Sequence, residues 1–364
     1  MVVHDDSRLV VVFSGGGTGG HLYPALALAS ELVALRPDVR PFFVGSERGI
    51  ESRTLAERGV EHALLPVRGF ARGEAVANWR VVSALGHSLC RIMELFRVLA
   101  PELVVVTGGY ASGPAGIVAA LGSLPLAVQE QNSVPGLTTR VLARWARQIH
   151  LAFPEAAERL PVGARTRVHV SGNPIEEPML IERTEARVEL GLCPDGFVVL
   201  VVGGSQGSAA LNSGVLEVVR MVVRGELPAL AGLQILWSTG PSHSDGVGGA
   251  LADVGAPDWV HTVDYIHDMP YALAAADLAI SRAGAMATSE FLAWGLPSVL
   301  VPLPTAAANH QEQNALVLTA AGAAVHLPEQ ELSGERLWST IAGLAKDPVR
   351  LEEHRKAARE RGRP

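Results

Sequence analysis

Ser14-Gly15-Gly16-Gly17-Thr18-Gly19-Gly20-His21-Leu22-Tyr23-Pro24 is the stretch whose reading decides the fold. The apolar run Leu9 to Phe13 leads into it and reads as a buried strand. Leu22, Leu26, Ala29 and Val33 leave it at helical spacing until Pro37 stops them. A strand, a glycine loop and a helix point free backbone N–H groups and a helix dipole at an anion, most simply a phosphate. Glycines let backbone or ligand approach closely, and Pro24, placed in the first helical turn, needs no N–H partner.

Gly15-x-Gly17-x-x-Gly20 formally fits the dinucleotide fingerprint, which wants an acid closing the second strand about 20 residues on. That strand, Pro41 to Val44, ends in Gly45-Ser46 with Glu47 only beyond, so a sugar or phosphate ligand is favoured over a dinucleotide. No Gly-Lys-Ser/Thr follows, which excludes a P-loop.

Working outward, strand-like and helix-like segments alternate. Leu9–Phe13, Pro41–Val44, His62–Leu65, Leu103–Thr107, Leu126–Gln129, Ile149–Ala152 and Val168–Val170 are the strands of the first half. This cadence predicts a mostly parallel sheet with helices on both faces. Gly172-Asn173-Pro174 then punctuates the chain. Phe197–Val202 runs into Gly203-Gly204-Ser205-Gln206-Gly207 and a new helix, so the second half opens as the first did. Gln234–Ser238, Trp259–Val263, Leu278–Ser281 and Ser298–Val301 continue it. The expectation is an α/β protein of two doubly wound Rossmann-like domains, 1–173 and 174–364, facing each other across a cleft. Whether the charged tail from Pro348 packs back on the first domain stays open.

The bulk numbers fit. A chain of 364 residues, 48% hydrophobic and 18% charged, can bury two cores. A net charge of −7 disfavours nucleic acid as a partner. Cys90 and Cys193 lie far apart without metal-ligand spacing, which suits a reducing compartment and no structural zinc. Met1 to Arg8 is polar and acidic, unlike a signal peptide. The uncharged run Leu103 to Gln129 is long enough for a membrane span, but Gly108-Gly109, Gly113-Pro114 and Leu124-Pro125 break it into strand, loop, helix and strand.

Three features converge on a nucleotide diphosphate: the two glycine loops, and Ser281-Arg282-Ala283-Gly284-Ala285, whose arginine can neutralise a phosphate. Glu290, one turn into the next helix, either favours the helix dipole or accepts both ribose hydroxyls. Asn309-His310-Gln311-Glu312-Gln313-Asn314 carries amides and an imidazole suited to sugar hydroxyls, or to a polar helix start. No Asp-x-Asp follows a strand, and Glu329-x-Glu331 reads as a surface connection, so a departing diphosphate falls to N–H groups, dipoles and arginine.

Arg68 to Leu99 carries Arg68, Arg72, Arg80, Arg91 and Arg97 against Glu74 and Glu94, five less two, a local +3. A helix from about Asn78 sets Val82, Leu85, Leu89, Ile92, Phe96 and Leu99 on one face, with Trp79 and Met93 near it. Spacing alone favours a core-facing amphipathic helix; the alternative is a face lying on an anionic leaflet.

Taken together, Gly15–His21, Gly108-Gly109-Tyr110-x-Ser112-Gly113-Pro114, Glu130-Gln131-Asn132, Gly172-Asn173-Pro174, Gly203–Gly207, Ser281-Arg282-x-Gly284-Ala285 and Asn309-His310-Gln311-x-x-Asn314-Ala315 resemble the MurG family of glycosyltransferase family 28, from about Leu9 to Val325. The resemblance implies a GT-B fold and inverting transfer of GlcNAc from UDP-GlcNAc to the 4-hydroxyl of MurNAc-pentapeptide-diphospho-undecaprenol (lipid I), giving lipid II for peptidoglycan. It implies no cofactor and no metal. The donor side would comprise Ser205, Gln206, Gly207, Ile266 (through its backbone), Arg282, Gly284, Ala285, Met286, Glu290, His310, Gln311 and Asn314, with Thr18, Gly19, Gly20 and His21. The acceptor side would comprise Gly16, Gly17, Thr18, Tyr110, Ser112, Glu130 and Asn132. His21 is the candidate base, since imidazole titrates near neutrality, with holding the acceptor diphosphate as its other role, and Glu130 is the alternative base.

A lipid-anchored acceptor also turns the Arg68–Leu99 face towards the membrane. Trp79, Arg80, Leu85, Leu89, Arg91, Ile92 and Phe96 would then dock a peripheral enzyme on the anionic cytoplasmic face of the plasma (inner) membrane. Replacing Trp79 and Phe96 by serine should weaken vesicle binding. Other cell-wall synthesis or division proteins are further candidate partners. One position departs from the family, which often has arginine where this chain has Glu176. The rival readings are another GT-B enzyme (a diacylglycerol glycosyltransferase or a nucleotide-sugar 2-epimerase), a silent sugar-nucleotide-binding scaffold, and a dehydrogenase.

Overall fold

A computed structural model describes residues 8–67 and 75–363, with the side chains of 75–82 excepted. The chain divides into two compact units, Met1–Ile175 and Glu176–Pro364.

The first unit runs β1 (Leu9–Gly15), α1 (Gly19–Leu35), β2 (Val39–Ser46), α2 (Glu51–Glu57), β3 (His62–Leu65), α3 (Ala75–Leu99), β4 (Leu103–Gly108), α4 (Gly113–Leu121), β5 (Leu126–Glu130), α5 (Leu137–Leu142), β6 (Gln148–Leu151) and β7 (Arg167–Val170). Its seven strands pair in parallel in the order β3-β2-β1-β4-β5-β6-β7. Successive residues of a strand face opposite sides, so Val10 and Val12 enter one core and Val11 and Phe13 the other. A sheet buried on both faces accounts for the continuous apolar runs of the sequence.

The second unit runs α6 (Arg183–Glu189), β8 (Phe197–Val202), α7 (Ala209–Val223), β9 (Leu233–Ser238), α8 (Ser244–Ala252), β10 (Val260–Val263), α9 (Met269–Ala275), β11 (Leu278–Ser281), α10 (Ala285–Ala293), β12 (Ser298–Leu300), α11 (His310–Ala320), β13 (Ala324–His326), α12 (Gly334–Ala345) and α13 (Pro348–Arg361). Its sheet is parallel, in the order β10-β9-β8-β11-β12-β13. The final helix α13 packs on α10 and α12 within this unit. Asp277 fixes it there: its carboxylate meets Arg355 at 2.8 Å, Arg187 at 2.6 Å and Arg183 at 2.9 Å.

Strand order reverses between β1 and β4 in one unit and between β8 and β11 in the other. In open parallel sheets ligands bind beyond the strand carboxyl ends at such a switch point. The loops singled out in the sequence leave those four strands.

Two expectations change. Pro24 is the sixth residue of α1, not part of its first turn, so its missing N–H leaves the Gly20 carbonyl without an intrahelical partner. The apolar stripe of α3 lies in the core: Ile92 is 0% and Phe96 7% exposed, with Leu89 partly buried beside them and α4 packed against the helix. Assigning Ile92 and Phe96 to a lipid surface is therefore corrected, because covering the sheet already buries that face. Leu85 is half-buried, and Arg91 lies 3.7 Å from Glu47. Arg68, Arg72, Glu74 and the side chains of Trp79 and Arg80 lie outside the described residues.

Candidate active site

In the first unit the β1 loop and the β4 turn touch. Gly16 N–H donates to Gly108 O at 3.4 Å, and a Cβ on Gly109 would fall 2.0 Å from Gly16 O. Side chains are excluded there because two backbones occupy one van der Waals distance. Tyr110 lies over Gly17 and leaves no room for a Cβ on it.

His21 sits in the first turn of α1, half-buried. Its Nδ1 is 2.9 Å from Thr107 O and 2.9 Å from Gln131 Oε1. Both neighbours are acceptors, so Nδ1 carries the proton and Nε2 keeps its lone pair. Nε2 has no partner among the described residues. A neutral imidazole with a fixed N–H on one side and a bare nitrogen on the other can accept a proton.

Beneath the loop lies a residue that the sequence did not single out. Glu51, at the start of α2, is fully buried. Its Oε1 accepts from Gly17 N at 2.8 Å and Ser46 N at 3.1 Å, while Oε2 is buried without a hydrogen-bond partner. A Cβ on Gly16 would fall 1.9 Å from Oε1, and one on Gly49 1.9 Å from Oε2. Glycines in two loops thus make room for a carboxylate of the protein itself. The N–H groups of Gly16 and Gly17 are spent internally, which corrects their assignment to an acceptor phosphate. The donors left for an anion belong to the first turn of α1, at Gly19 and Gly20 beside exposed Thr18. The available signal was Gly16 after β1, Gly45 near the end of β2 and Gly49 in the turn that follows it, whose common neighbour is Glu51.

Three further acceptor-side assignments change. Ser112 is fully buried and its hydroxyl donates to Gly109 O at 3.0 Å, so it braces the turn. Glu130, 2% exposed, accepts from Asn132 N and Gly136 N, both at 3.1 Å. Both oxygens of this buried carboxylate are thus engaged in holding its own loop. Asn132 joins it, donating Nδ2–H to the same Oε1 at 3.4 Å.

In the second unit Gly203–Gly207 leaves β8 with Ser205 and Gln206 exposed, and Ser208 caps α7, accepting from Leu211 N at 3.4 Å. Across the switch point Gly284 is the N-cap of α10, whose first turn begins at Ala285 and Met286. Arg282 is nearly buried and tethered: Nη1 donates to Val301 O at 3.1 Å and Pro302 O at 3.2 Å, and Nη2 meets Glu329 at 2.5 Å. Glu329 is therefore the counter-ion of Arg282 and not part of a plain surface connection. The Nε–H edge of Arg282 takes no partner among the described residues.

Glu290, half-buried on α10, has its pKa pushed up to about 7, first by burial and then by the like charge of Glu176. The acidic residue at the departing position thus bears on the candidate ribose ligand. Ala308 and Asn309 both take positive φ, 51° and 56°, immediately before α11. Consecutive left-handed non-glycine residues cost strain that the surroundings must hold. His310 Nδ1–H donates to Ala307 O at 2.5 Å, and Gln311 Oε1 accepts from Leu303 N at 2.9 Å, leaving the Gln311 amino group for a ligand. Ile266 has its side chain in the core, so only its backbone can meet a base. Asn314 is fully buried and donates to Ala283 O at 3.2 Å; it supports the Arg282 turn from behind, which corrects its direct assignment to the donor.

Comparison with known proteins follows this division. Residues 11–151 match the glycosyltransferase family 28 N-terminal domain and residues 198–363 the glycosyltransferase family 28 C-terminal domain. A UDP-N-acetylglucosamine--N-acetylmuramyl-(pentapeptide) pyrophosphoryl-undecaprenol N-acetylglucosamine transferase from Desulforudis audaxviator is 39% identical over 359 residues, covering 97% of this chain and 94% of that protein. The crystal structure of MurG from Acinetobacter baumannii superposes with a TM-score of 0.76 at 26% identity, covering 98% of this chain and 96% of that one. A structure described as a UDP-N-acetylglucosamine 2-epimerase from Listeria monocytogenes gives a TM-score of 0.64 at 15% identity over 98% of this chain and 92% of that one, a likeness of fold alone.

Proposed function

The chain belongs to the MurG family within glycosyltransferase family 28, and from that membership we propose how its two sites share one reaction. It is a UDP-sugar hexosyltransferase of GT-B fold that transfers GlcNAc from UDP-GlcNAc to lipid I, making lipid II. The acceptor is assigned to the first unit and the donor to the second.

The observation that carries the mechanism is the bare Nε2 of His21, held by Nδ1–H against Thr107 O and Gln131 Oε1. Nε2 takes the proton of the MurNAc 4-hydroxyl as that oxygen attacks the anomeric carbon. The bond from that carbon to the β-phosphate oxygen breaks, inverting the centre, and UDP departs. The carbonyl oxygens at Nδ1 stabilise the imidazolium that forms. The first turn of α10, the Ser205–Gly207 loop and the free edge of Arg282 receive the charge of the diphosphate. Glu290 accepts the ribose hydroxyls, and the amino group of Gln311 with His310 reads the GlcNAc hydroxyls. No divalent cation enters this scheme, so turnover should persist in EDTA.

Incubation with radiolabelled UDP-GlcNAc and a short-chain lipid I analogue tests this reading, beside His21→Ala and Glu290→Ala. Label in the lipid product is expected, lost in the first variant and reduced by weak donor binding in the second. UDP release without acceptor, or no label in lipid, overturns it.

The enzyme also works at the membrane that carries its acceptor, and none of the helices of the described residues is long and apolar enough to cross one. The surface that supports docking is α5 and the turn after it. Leu137, Val141 and Trp145 recur every fourth residue and are 61%, 42% and 54% exposed. Exposed Arg140, Arg144 and Arg147 are interleaved with them, and no acid occurs between Glu130 and Glu155. Apolar side chains ringed by arginine suit an anionic leaflet, here the cytoplasmic one. The strip starts at the acceptor site, where Thr138 Oγ1 donates to Gly109 O at 3.1 Å. Val141→Ser with Trp145→Ser should weaken sedimentation with anionic phospholipid vesicles about tenfold while turnover of a soluble acceptor survives. Phe96→Ser should instead cost about 3 kcal/mol of stability through its core cavity. Unchanged vesicle binding by the α5 variant removes this surface from consideration.

A further inference from the structure

His21 is the end of a chain of buried amides. Gln131 presents Oε1 to His21 Nδ1–H at 2.9 Å and gives Nε2–H to Thr107 O at 2.7 Å, and to Gln129 Oε1. Gln129 in turn gives Nε2–H to Asn173 Oδ1 at 2.9 Å, and Asn173 returns Nδ2–H to Gln131 O at 3.3 Å. The three amides are 1%, 4% and 2% exposed, so water cannot replace a lost partner. Each donor meets an acceptor all the way from the Gly172-Asn173-Pro174 turn to the imidazole.

The direction of that chain is fixed. Turning the Gln131 amide over would set its oxygen against Thr107 O and Gln129 Oε1 and its amino group against His21 Nδ1–H, which costs every hydrogen bond at once. Thr107 O is only one of the two acceptors facing His21 Nδ1, and Gln131 Nε2–H donates to its second lone pair, so losing Gln131 removes one acceptor and releases the other. We infer that Gln131 is a positioning residue for the transfer reaction, and that Gln129 and Asn173 orient its amide so that His21 is confined to the Nδ1–H form with Nε2 available. Asn173 lies two residues before the end of the first unit, so this chain ties the crossover between the units to the nitrogen that does the chemistry.

The inference rests on the base reading of His21, and two measurements on the full-length enzyme separate them. Gln131→Met keeps nearly the same volume and removes both hydrogen-bonding functions; Asn173→Ala acts from the far end. Proton–nitrogen NMR correlation of the imidazole nitrogens reads the tautomer without any substrate. Wild type should show His21 as Nδ1–H alone, and Gln131→Met a mixture that includes Nε2–H. In steady-state assays kcat should fall about tenfold in Gln131→Met and about threefold in Asn173→Ala, with KM for UDP-GlcNAc within about twofold of wild type. A wild-type tautomer signal in a folded Gln131→Met overturns the inference. If that variant does not fold, Asn173→Ala decides by the same spectrum: a mixture supports the inference and an unchanged signal overturns it. A mixed tautomer with unchanged kcat upholds the positioning and removes His21 from the base role.

Discussion

The glycine loop after β1 and the one after β8 stand at equivalent places in two similar sheets, yet they are built for different partners. The first is filled from within. Glu51 occupies the space beside Gly16 and takes the Gly17 N–H, while Thr107 and Tyr110 fill the space beside Gly15 and Gly17. The second exposes Ser205 and Gln206, with a tethered arginine across the switch point. A run of glycines therefore states only that something comes close. In one loop that something includes a buried carboxylate of the same chain; in the other it is backbone, Ser208 N against Gly203 and Thr239 O against Gly207, with open space at Gly204.

The comparison can be broken at four places. The largest effect is expected at the first loop: His21→Ala should lower kcat by about 100- to 10,000-fold, the range for losing a general base, with UDP affinity unchanged by calorimetry. If UDP binding falls with kcat, the two loops do not divide acceptor from donor as proposed.

Glu51→Ala leaves the buried Ser46 N–H and the part-buried Gly17 N–H unpaired, and should cost about 2 kcal/mol in urea unfolding. Glu51→Gln keeps an acceptor in place of Oε1 and should cost much less. Equal losses from both would mean that the charge, not the acceptor geometry, holds the loop.

At the second loop, Glu329→Gln removes the counter-ion of Arg282 while the Val301 and Pro302 carbonyls still hold Nη1. A guanidinium no longer paired should bind UDP a few-fold more tightly in equilibrium titration, since one rival anion is gone. Weaker binding would show that Glu329 aims the arginine and does not compete for it.

The smallest effect is a pH dependence. Glu290 titrates at about 7 when folded, against an ordinary value of 4.5. The folded state holds this proton more tightly, so its stabilising contribution is complete below pH 4.5 and is lost as pH rises towards 7. Acceptance of both ribose hydroxyls needs the ionised form, so UDP affinity should rise over the same interval and level off above 7. Glu290→Gln should flatten that rise, and an unaltered profile would place the titration elsewhere. Glu176→Gln removes the like charge and should move the midpoint down.

Most strands were legible because each is a short apolar run, closed by glycine in β1, β4 and β8, and a parallel sheet buried on both faces leaves little freedom in what such runs can be. The helix from Asn78 was legible in its period but not in its direction. Periodicity shows that Leu89, Ile92 and Phe96 share a face; only α4 shows that the face is already covered. Leu137, Val141 and Trp145 gave the opposite lesson. They repeat at helical spacing like core residues, and the structure leaves them in solvent.

The sequence by itself determined the two doubly wound sheets, the loops at their switch points and the family, since these depend on residue type at short separations along the chain. Only the tertiary structure decided which polar groups face each other. Glu51 reaches Gly17 across 34 residues, Gln131 reaches His21 across 110, and Arg355 reaches Asp277 across 78. Hydrogen bonds act over about 3 Å, and the sheet order that brings those residues within that range is set by packing of the whole unit.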